Sequence, residues 1–275
     1  MKLKAIIKSM ECLAPADWQE DWDKSGLQMG DPEEEVPKIL LALDADSRAA
    51  EKASACGAGL IITHHPLFFN PAEGLRSYVP EEALLRRLIK EDIAVYSAHT
   101  NLDAAPWGVN YALAAALDLE EALTARPLFP LGEEKTPVSC LPGHARFRQK
   151  EAGTVSMAAA KLSRRELLAR IKKVFSSGIR INFSEDRPLR KIALSGGSWD
   201  GAWQESLAAS GADAVICGEM KYHDAAALAE RGIAAFTLGH AASEKPVLRV
   251  LEAYLKKQTD CAIELFGGTD AASLF

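Results

Sequence analysis

The sequence lacks any long apolar run. No window approaches the ~20 uninterrupted apolar residues that a membrane helix needs, and the opening MKLKAIIKSMECLAP is broken at Lys8 and Glu11, too early for the apolar part of a secretory signal. Cysteine is scarce: the five, at positions 12, 56, 140, 217 and 261, include no C-x-x-C pair, which excludes a zinc ribbon and a secreted disulfide framework. Reduced thiols in a cytoplasmic protein are the expectation. Excess positive charge is also missing, since 32 Lys and Arg against 38 Asp and Glu leave a formal net charge of -6. General attraction to nucleic acid or to anionic lipid is therefore not expected. What is present is 48% hydrophobic residues in 275, enough for one large core or two modest ones.

Apolar runs bounded by glycine or charge predict buried strands at 38–43 (KILLAL), 59–63 (GLIIT), 93–97 (IAVYS), 191–195 (KIALS), 213–217 (DAVIC) and 233–238 (IAAFTL). Helical periodicity lies between them at 47–55, 80–90, 109–116, 164–175, 201–210, 223–230 and 244–257. Alternation of this kind predicts an α/β fold with sheets flanked by helices. A stretch with glycine, proline and little periodicity, 126–153, reads as a connection between a first half (1–125) and a second (154–275), whose last helix is free to pack back on the first. His144, with Arg146 and Arg148, falls in that connection and reads as a solvated patch.

The halves resemble each other. ACGAGLIITHH (55–65) is matched by ASGADAVICGE (209–219), and RRLIKEDIAVYSAHTNLD (86–103) by ALAERGIAAFTLGHAASE (227–244). Each half ends in a histidine followed four residues later by a carboxylate, His99 with Asp103 and His240 with Glu244. Strand-helix-strand segments resemble one another in general, but that does not account for a polar site at the same place in both.

Five of the six histidines, His64, His65, His99, His223 and His240, sit at or just beyond predicted strand ends. In α/β sheets the loops beyond the strand carboxyl ends bind ligands. Neighbours on a strand point to opposite faces, so His64 and His65 can share a crevice only if the strand has ended; Pro66, which restricts His65, fits such an ending. Imidazoles suit zinc, manganese, iron or nickel, and carboxylates add hard oxygen ligands. His240 and Glu244, four apart at a helix start, would share one face. Ser195–Ser198 (SGGS) reads as a tight turn or, alternatively, a phosphate-wrapping loop, and Trp18 and Trp22 read as core anchors in preference to a cofactor platform.

DWDKSGLQMGD (21–31), IITHHPLFF (61–69), YSAHTNLDAAPWGVN (96–110), IALSGGSWD (192–200), ADAVICGEMKYHDA (212–225) and GHAASEKPVL (239–248) together resemble the signature segments of the NIF-three-like family, often labelled GTP cyclohydrolase 1 type 2 homologues. They occur in the family's order over nearly the whole chain, with the spacings of its short form, which lacks an inserted domain. The chain departs from the pattern at Lys24 and Ser25, where asparagine and valine are common, and at Trp199, where a small residue is usual.

The resemblance implies a NIF-three-like fold of two related halves with a metal site in the crevice between them. Carried over by position, two divalent ions (zinc, manganese, iron or nickel) fall to His64, His65, Asp103, His240 and Glu244. His99 is assigned as an outer-shell residue or proton shuttle, although its match to His240 leaves it open as a ligand. Glu219, Lys221 and His223 would line the same cavity or form a solvated helix face, with His223 a second candidate for moving protons. The implied activity is a metal-dependent, GTP cyclohydrolase-like hydrolysis of a nucleotide or related small molecule, in which water attacks the imidazole carbon of a guanine nucleotide. Alternatives are two-metal phosphoester hydrolysis and a non-catalytic metal-handling or partner-binding scaffold. The implied assembly is a ring-like homo-oligomer, a hexamer, in the cytoplasm.

Overall fold

Runs such as KILLA and LIIT are apolar at every position, a pattern satisfied only in a sheet covered on both faces. The computed structural model places them there, and it describes residues 1–124, 127–131, 153–175 and 178–268. Most of the proposed 126–153 connection, including His144, Arg146, Arg148 and Cys140, lies outside these residues. The expected fold class, α/β with sheets flanked by helices, is the one observed. By contacts the chain divides into two units, residues 1–102 with 248–268, and the described residues of 103–247.

In the first unit, β1 (Gly26–Met29), β2 (Lys38–Ala42), β3 (Leu60–Thr63), β4 (Ala94–Ser97) and the last strand among the described residues, β12 (Ala262–Leu265), form one sheet in the order β1-β4-β3-β2-β12. All are parallel except β1, which runs antiparallel to β4. The helices are α1 (Leu3–Leu13), α2 (Ser47–Cys56) and α3 (Pro80–Lys90). Asp46 caps α2 by accepting the Ala49 N–H at 2.7 Å. Pro80, with Glu81 and Glu82, opens α3, and Arg87 and Lys90 close it, each complementing the helix dipole. Leu40, Ile61 and Val95 of the sheet pack with Ala49, Ala53 and Leu88 of the helices.

The chain passes through α4 (Thr100–Ala104) into the second unit. There β5 (Phe129–Pro130) and β6 (Gly153–Thr154) form a short antiparallel pair. The main sheet holds β7 (Ser156–Ser163), β8 (Arg180–Ile181), β9 (Pro188–Ser198), β10 (Ala214–Glu219) and β11 (Ala234–Thr237) in the order β7-β9-β10-β11-β8. β9, β10 and β11 are parallel, and the edge strands β7 and β8 are antiparallel to their neighbours. Helices α5 (Val109–Ala116), α6 (Arg164–Val174), α7 (Gln204–Ala209), α8 (Tyr222–Glu230) and α9 (His240–Glu244) belong to this unit, and α10 (Val247–Leu255) follows. One face of the sheet packs Ile192, Ile216 and Phe236 with Leu113, Leu167 and Ile171. The other face packs Ala193, Val215 and Cys217 with Leu207 and Leu228.

The sequence repeat is a structural repeat. In both units three parallel strands are followed, beyond the third, by an antiparallel edge strand: β2-β3-β4 with β1, and β9-β10-β11 with β8. Gly57 and Gly211 follow the corresponding helices with the same φ of +72°. The Ile93 N–H reaches the Leu88 carbonyl at 3.0 Å, as the Ile233 N–H reaches that of Leu228 at 2.9 Å. Ala94 to Gly59 and Ala234 to Asp213 repeat a further bond at 2.9 Å. The continuous helix expected over 244–257 is instead α9 and α10, because Pro246 between them has no N–H to continue the ladder.

Candidate metal centre

In the first unit β3 ends at Thr63, and the chain beyond it is held in place. The Thr63 and Ser97 hydroxyls, 2.9 Å apart, both donate to the His65 carbonyl, at 2.7 and 3.2 Å, and the His65 N–H bonds the Leu43 carbonyl at 2.9 Å. With the strand ended, His64 and His65 no longer alternate between faces. Their ring centroids lie 5.0 Å apart and 5.2 and 5.7 Å from that of His99, and one donor nitrogen of each lies within 4.8 Å of the others.

Each of these imidazoles has Nδ1 bound to an oxygen acceptor. Nδ1 of the fully buried His64 meets the Ala98 carbonyl at 2.9 Å, that of His65 meets Asp44 Oδ1 at 2.8 Å, and that of His99 meets Asp23 Oδ1 at 2.8 Å. Carbonyl and carboxylate oxygens only accept, so Nδ1 carries a proton, and in the neutral ring the lone pair is then on Nε2. Metal-binding histidines are held this way, with the second nitrogen fixing tautomer and ring orientation.

The Asp23 side chain is wholly buried. Burial alone would raise its pKa, but hydrogen bonds from His99 and Thr100 and the potential of His99 outweigh that and hold the carboxyl well below the usual carboxylate range. Ser25 completes the network: its hydroxyl accepts the His99 N–H at 3.1 Å and lies 2.8 Å from the Asn101 side-chain oxygen. One of the two departures from the family pattern thus touches His99 directly. The aromatic rings of Trp22 and Phe69 meet the His99 ring edge to face, at centroid distances of 5.9 and 5.8 Å. Trp18 is buried, as expected of a core anchor, whereas Trp22 is 61% exposed and belongs to the surroundings of His99.

In the second unit His240 opens α9, and Glu244 lies one turn further on. His240 Nδ1 meets Glu219 Oε1 at 3.0 Å, and Nε2 meets Glu244 Oε1 at 3.1 Å. The Glu244 side chain is 4% exposed, and its space is provided by glycine. A Cβ on Gly197 (φ +69°) would stand 2.4 Å from Glu244 Oε1, and one on Gly218 would stand 2.6 Å from Ser243 Oγ. The Gly196 and Gly197 N–H groups already donate to Asn110 Oδ1 and Ser243 Oγ, at 2.8 and 2.9 Å. SGGS is thus a close-approach segment at the end of β9, with those two N–H groups already engaged rather than turned to a phosphate. The buried Trp199 packs edge to face on Trp203 at 5.3 Å.

The remaining candidates are placed differently. Asp103 is half-buried in α4, one turn beyond His99, and is not in the group of three imidazoles. Lys221 precedes α8 and His223 stands in its first turn; both are exposed, and the His223 ring lies against that of Tyr222 at 5.4 Å. Sequence reasoning missed Asp23 and Asp44. Asp44 could have been found by applying the strand-end rule to carboxylates, since it stands just past β2; nothing local marks Asp23, whose partner is 76 residues away.

Fold and donor chemistry together define a class: a two-unit α/β protein whose histidine and carboxylate groups could hold metal ions. The chain belongs to the Duf34/NIF3 (NGG1p interacting factor 3) family, whose model matches residues 1–267. It is 32% identical over 263 residues to a protein named GTP cyclohydrolase 1 type 2 homolog from Streptomyces coelicolor, covering 94% of this chain and 87% of that one. A protein of the same name from Clostridium perfringens is 32% identical over 282 residues, covering 100% and 99%. Among solved structures, Staphylococcus aureus protein SA1388 superposes with a TM-score of 0.84 at 24% identity, covering 98% of each chain. Reduced HcgD from Methanocaldococcus jannaschii does so with a TM-score of 0.76 at 27% identity, covering 96% of this chain and 97% of that one. Among the described residues no helix is long and apolar enough to cross a membrane.

Proposed function

We propose that this chain is a cytoplasmic, dinuclear metal-dependent hydrolase, GTP cyclohydrolase-like, acting on a nucleotide or related small molecule. Two divalent ions would be held by His64, His65, Asp103, His240 and Glu244, with Glu219 in the outer shell. The observation that carries this reading is the state of the histidines. His64, His65 and His240 each have Nδ1 held by an oxygen acceptor, the arrangement that fixes the ring of a metal-binding histidine, and His240 Nε2 lies beside Glu244 Oε1. When bound, such ions supply the Lewis acidity that activates water and polarises the scissile group. The chain's residues supply the rest. Asp23 fixes the His99 ring so that Nε2 can exchange a proton with the substrate, and Asp44 and Glu219 hold His65 and His240 in their ligating orientation. The names of the relatives point to a guanine nucleotide, and His99 would serve the proton transfers that opening its imidazole ring requires. A ring-like homohexamer is proposed as the working form.

The test is to replace Asp103 by Ala and Glu244 by Gln, then measure bound zinc, manganese and iron together with hydrolysis of a nucleotide panel. Wild type is expected to bind metal and turn over at least one member, and both variants to lose metal and turnover together. Metal binding by wild type with no hydrolysis that the variants lack would favour the metal-handling scaffold.

A further inference from the structure

Two large aromatic side chains beside His99 are left in water. Trp22 is 61% exposed and Phe69 54% exposed, yet each touches the His99 ring. Neither is among the residues that pack with Leu40, Ile61 and Val95 on one face of the first sheet. Both come from segments that also supply the site: Trp22 immediately precedes Asp23, the carboxylate holding His99 Nδ1, and Phe69 follows His65 by four residues. Their planes stand at 77° and 84° to the imidazole, so each ring is upright relative to His99, with much of its surface open. An exposed aromatic surface beside buried polar groups has the character of a ligand site, where apolar faces supply area and a few polar atoms fix orientation.

We infer that Trp22 and Phe69 are specificity-determining residues, forming a stacking platform that receives a planar heteroaromatic ring and brings its edge to His99. The inference rests on the proposed function and goes beyond it by naming what recognises the substrate. A ring laid on either aromatic face comes within reach of the same imidazole, since both centroids lie within 6 Å of that of His99. The side of His99 that bears Nδ1 is occupied by Asp23, so the ring edge is left to meet Nε2. Phosphate and sugar play no part in this recognition, so a ring-free phosphate should bind independently of it.

The experiment measures equilibrium binding of guanosine and of ribose 5-phosphate to the full-length protein by calorimetry, with and without manganese. Variants are Trp22→Leu and Phe69→Leu, with Trp22→Phe and Phe69→Tyr as conservative controls. Because both positions are exposed, the leucine variants are expected to fold, which circular dichroism checks. Guanosine should bind about ten-fold or more weakly to each leucine variant, the loss of one stacking partner. The conservative variants should retain most of the affinity, and ribose 5-phosphate should bind all forms alike. The inference is overturned if wild type shows no saturable guanosine binding, if the leucine variants bind guanosine as wild type does, or if both probes weaken together. It is also overturned if the substitutions alter only the sedimentation of the protein, which would make the two rings subunit contacts. Guanosine binding that depends on both rings without any turnover would sink the hydrolase reading and leave the platform standing. Nucleotide hydrolysis by wild type, with guanosine bound equally by wild type and both leucine variants, would do the reverse.

Discussion

A histidine with one ring nitrogen tied to an oxygen acceptor is fixed in both tautomer and direction, so the residues that matter here include the acceptors as well as the histidines. Asp23→Asn is expected to preserve the packing around His99 while offering an amide that can orient either its oxygen or its NH2 toward Nδ1. Turnover should fall by about 10- to 100-fold with metal content unchanged. Loss of metal on this substitution would move His99 from proton transfer to ligation. Asp44→Asn should instead weaken metal binding itself by about 10- to 100-fold, read by competition with a chelator. Cys217 lies fully buried in β10, where burial first and the Glu219 charge second push its thiol up to about 12. Thiol reagents need the thiolate, so at about pH 8, well below that value, Cys217 should resist alkylation in the native protein and react only after unfolding. Peptide mapping that finds it labelled alongside the half-buried Cys12, Cys56 and Cys261 in native protein would show that this sheet opens readily.

Among the elements, legibility followed how strongly local physics constrained each segment. Pro80 with its acidic neighbours and a basic last turn gave α3 to the residue, and the alanine-rich run before Leu117 did the same for α5. β1 and β12 escaped because their side chains are half-exposed at most positions, so neither an apolar run nor a clean alternation marks them. α1 was missed for a different reason: Leu3, Ile6, Met10 and Leu13 carry a helical spacing that a search for a signal segment does not weigh. The candidate histidines were legible as a group because they sit where strands end, whereas Asp23 was not, because only the folded chain brings it to His99. The glycines can be tested as elements of the repeat. An added Cβ meets nothing within 4 Å at Gly57 or Gly211, so Ala at either should cost only the left-handed backbone conformation, about 1–2 kcal/mol in denaturant unfolding. Gly197→Ala shares that cost but also drives a methyl toward Glu244, so metal affinity should fall with it. Equal effects of all three on metal binding would contradict the assignment of Gly197 to a close approach.

For the whole molecule, the proposed ligands come from distant parts of the chain, which would couple metal binding to folding. Anything that binds the native but not the unfolded chain stabilises it, by about 2.7 kcal/mol at a concentration one hundred times Kd. Manganese or zinc should therefore raise the melting temperature of wild type and a chelator should reverse it, while Glu244→Gln should respond to neither. An equal shift in the variant would place the stabilising ion elsewhere. Sedimentation at six times the chain mass is the expectation for the hexamer, and a monomer at micromolar concentration would refute it.

The seat of β12 beside β2 has a consequence for synthesis. Residues 262–265 pair in register with 38–41, and the Phe266 N–H closes the ladder on the Leu41 carbonyl at 2.8 Å. The first sheet is therefore complete only once residues 262–265 have been made, after every described strand of the second. Until then β2, apolar along most of its length, presents an open edge of the kind that recruits other nascent chains. A sheet begun before a second unit and completed after it carries that open edge for the whole interval between.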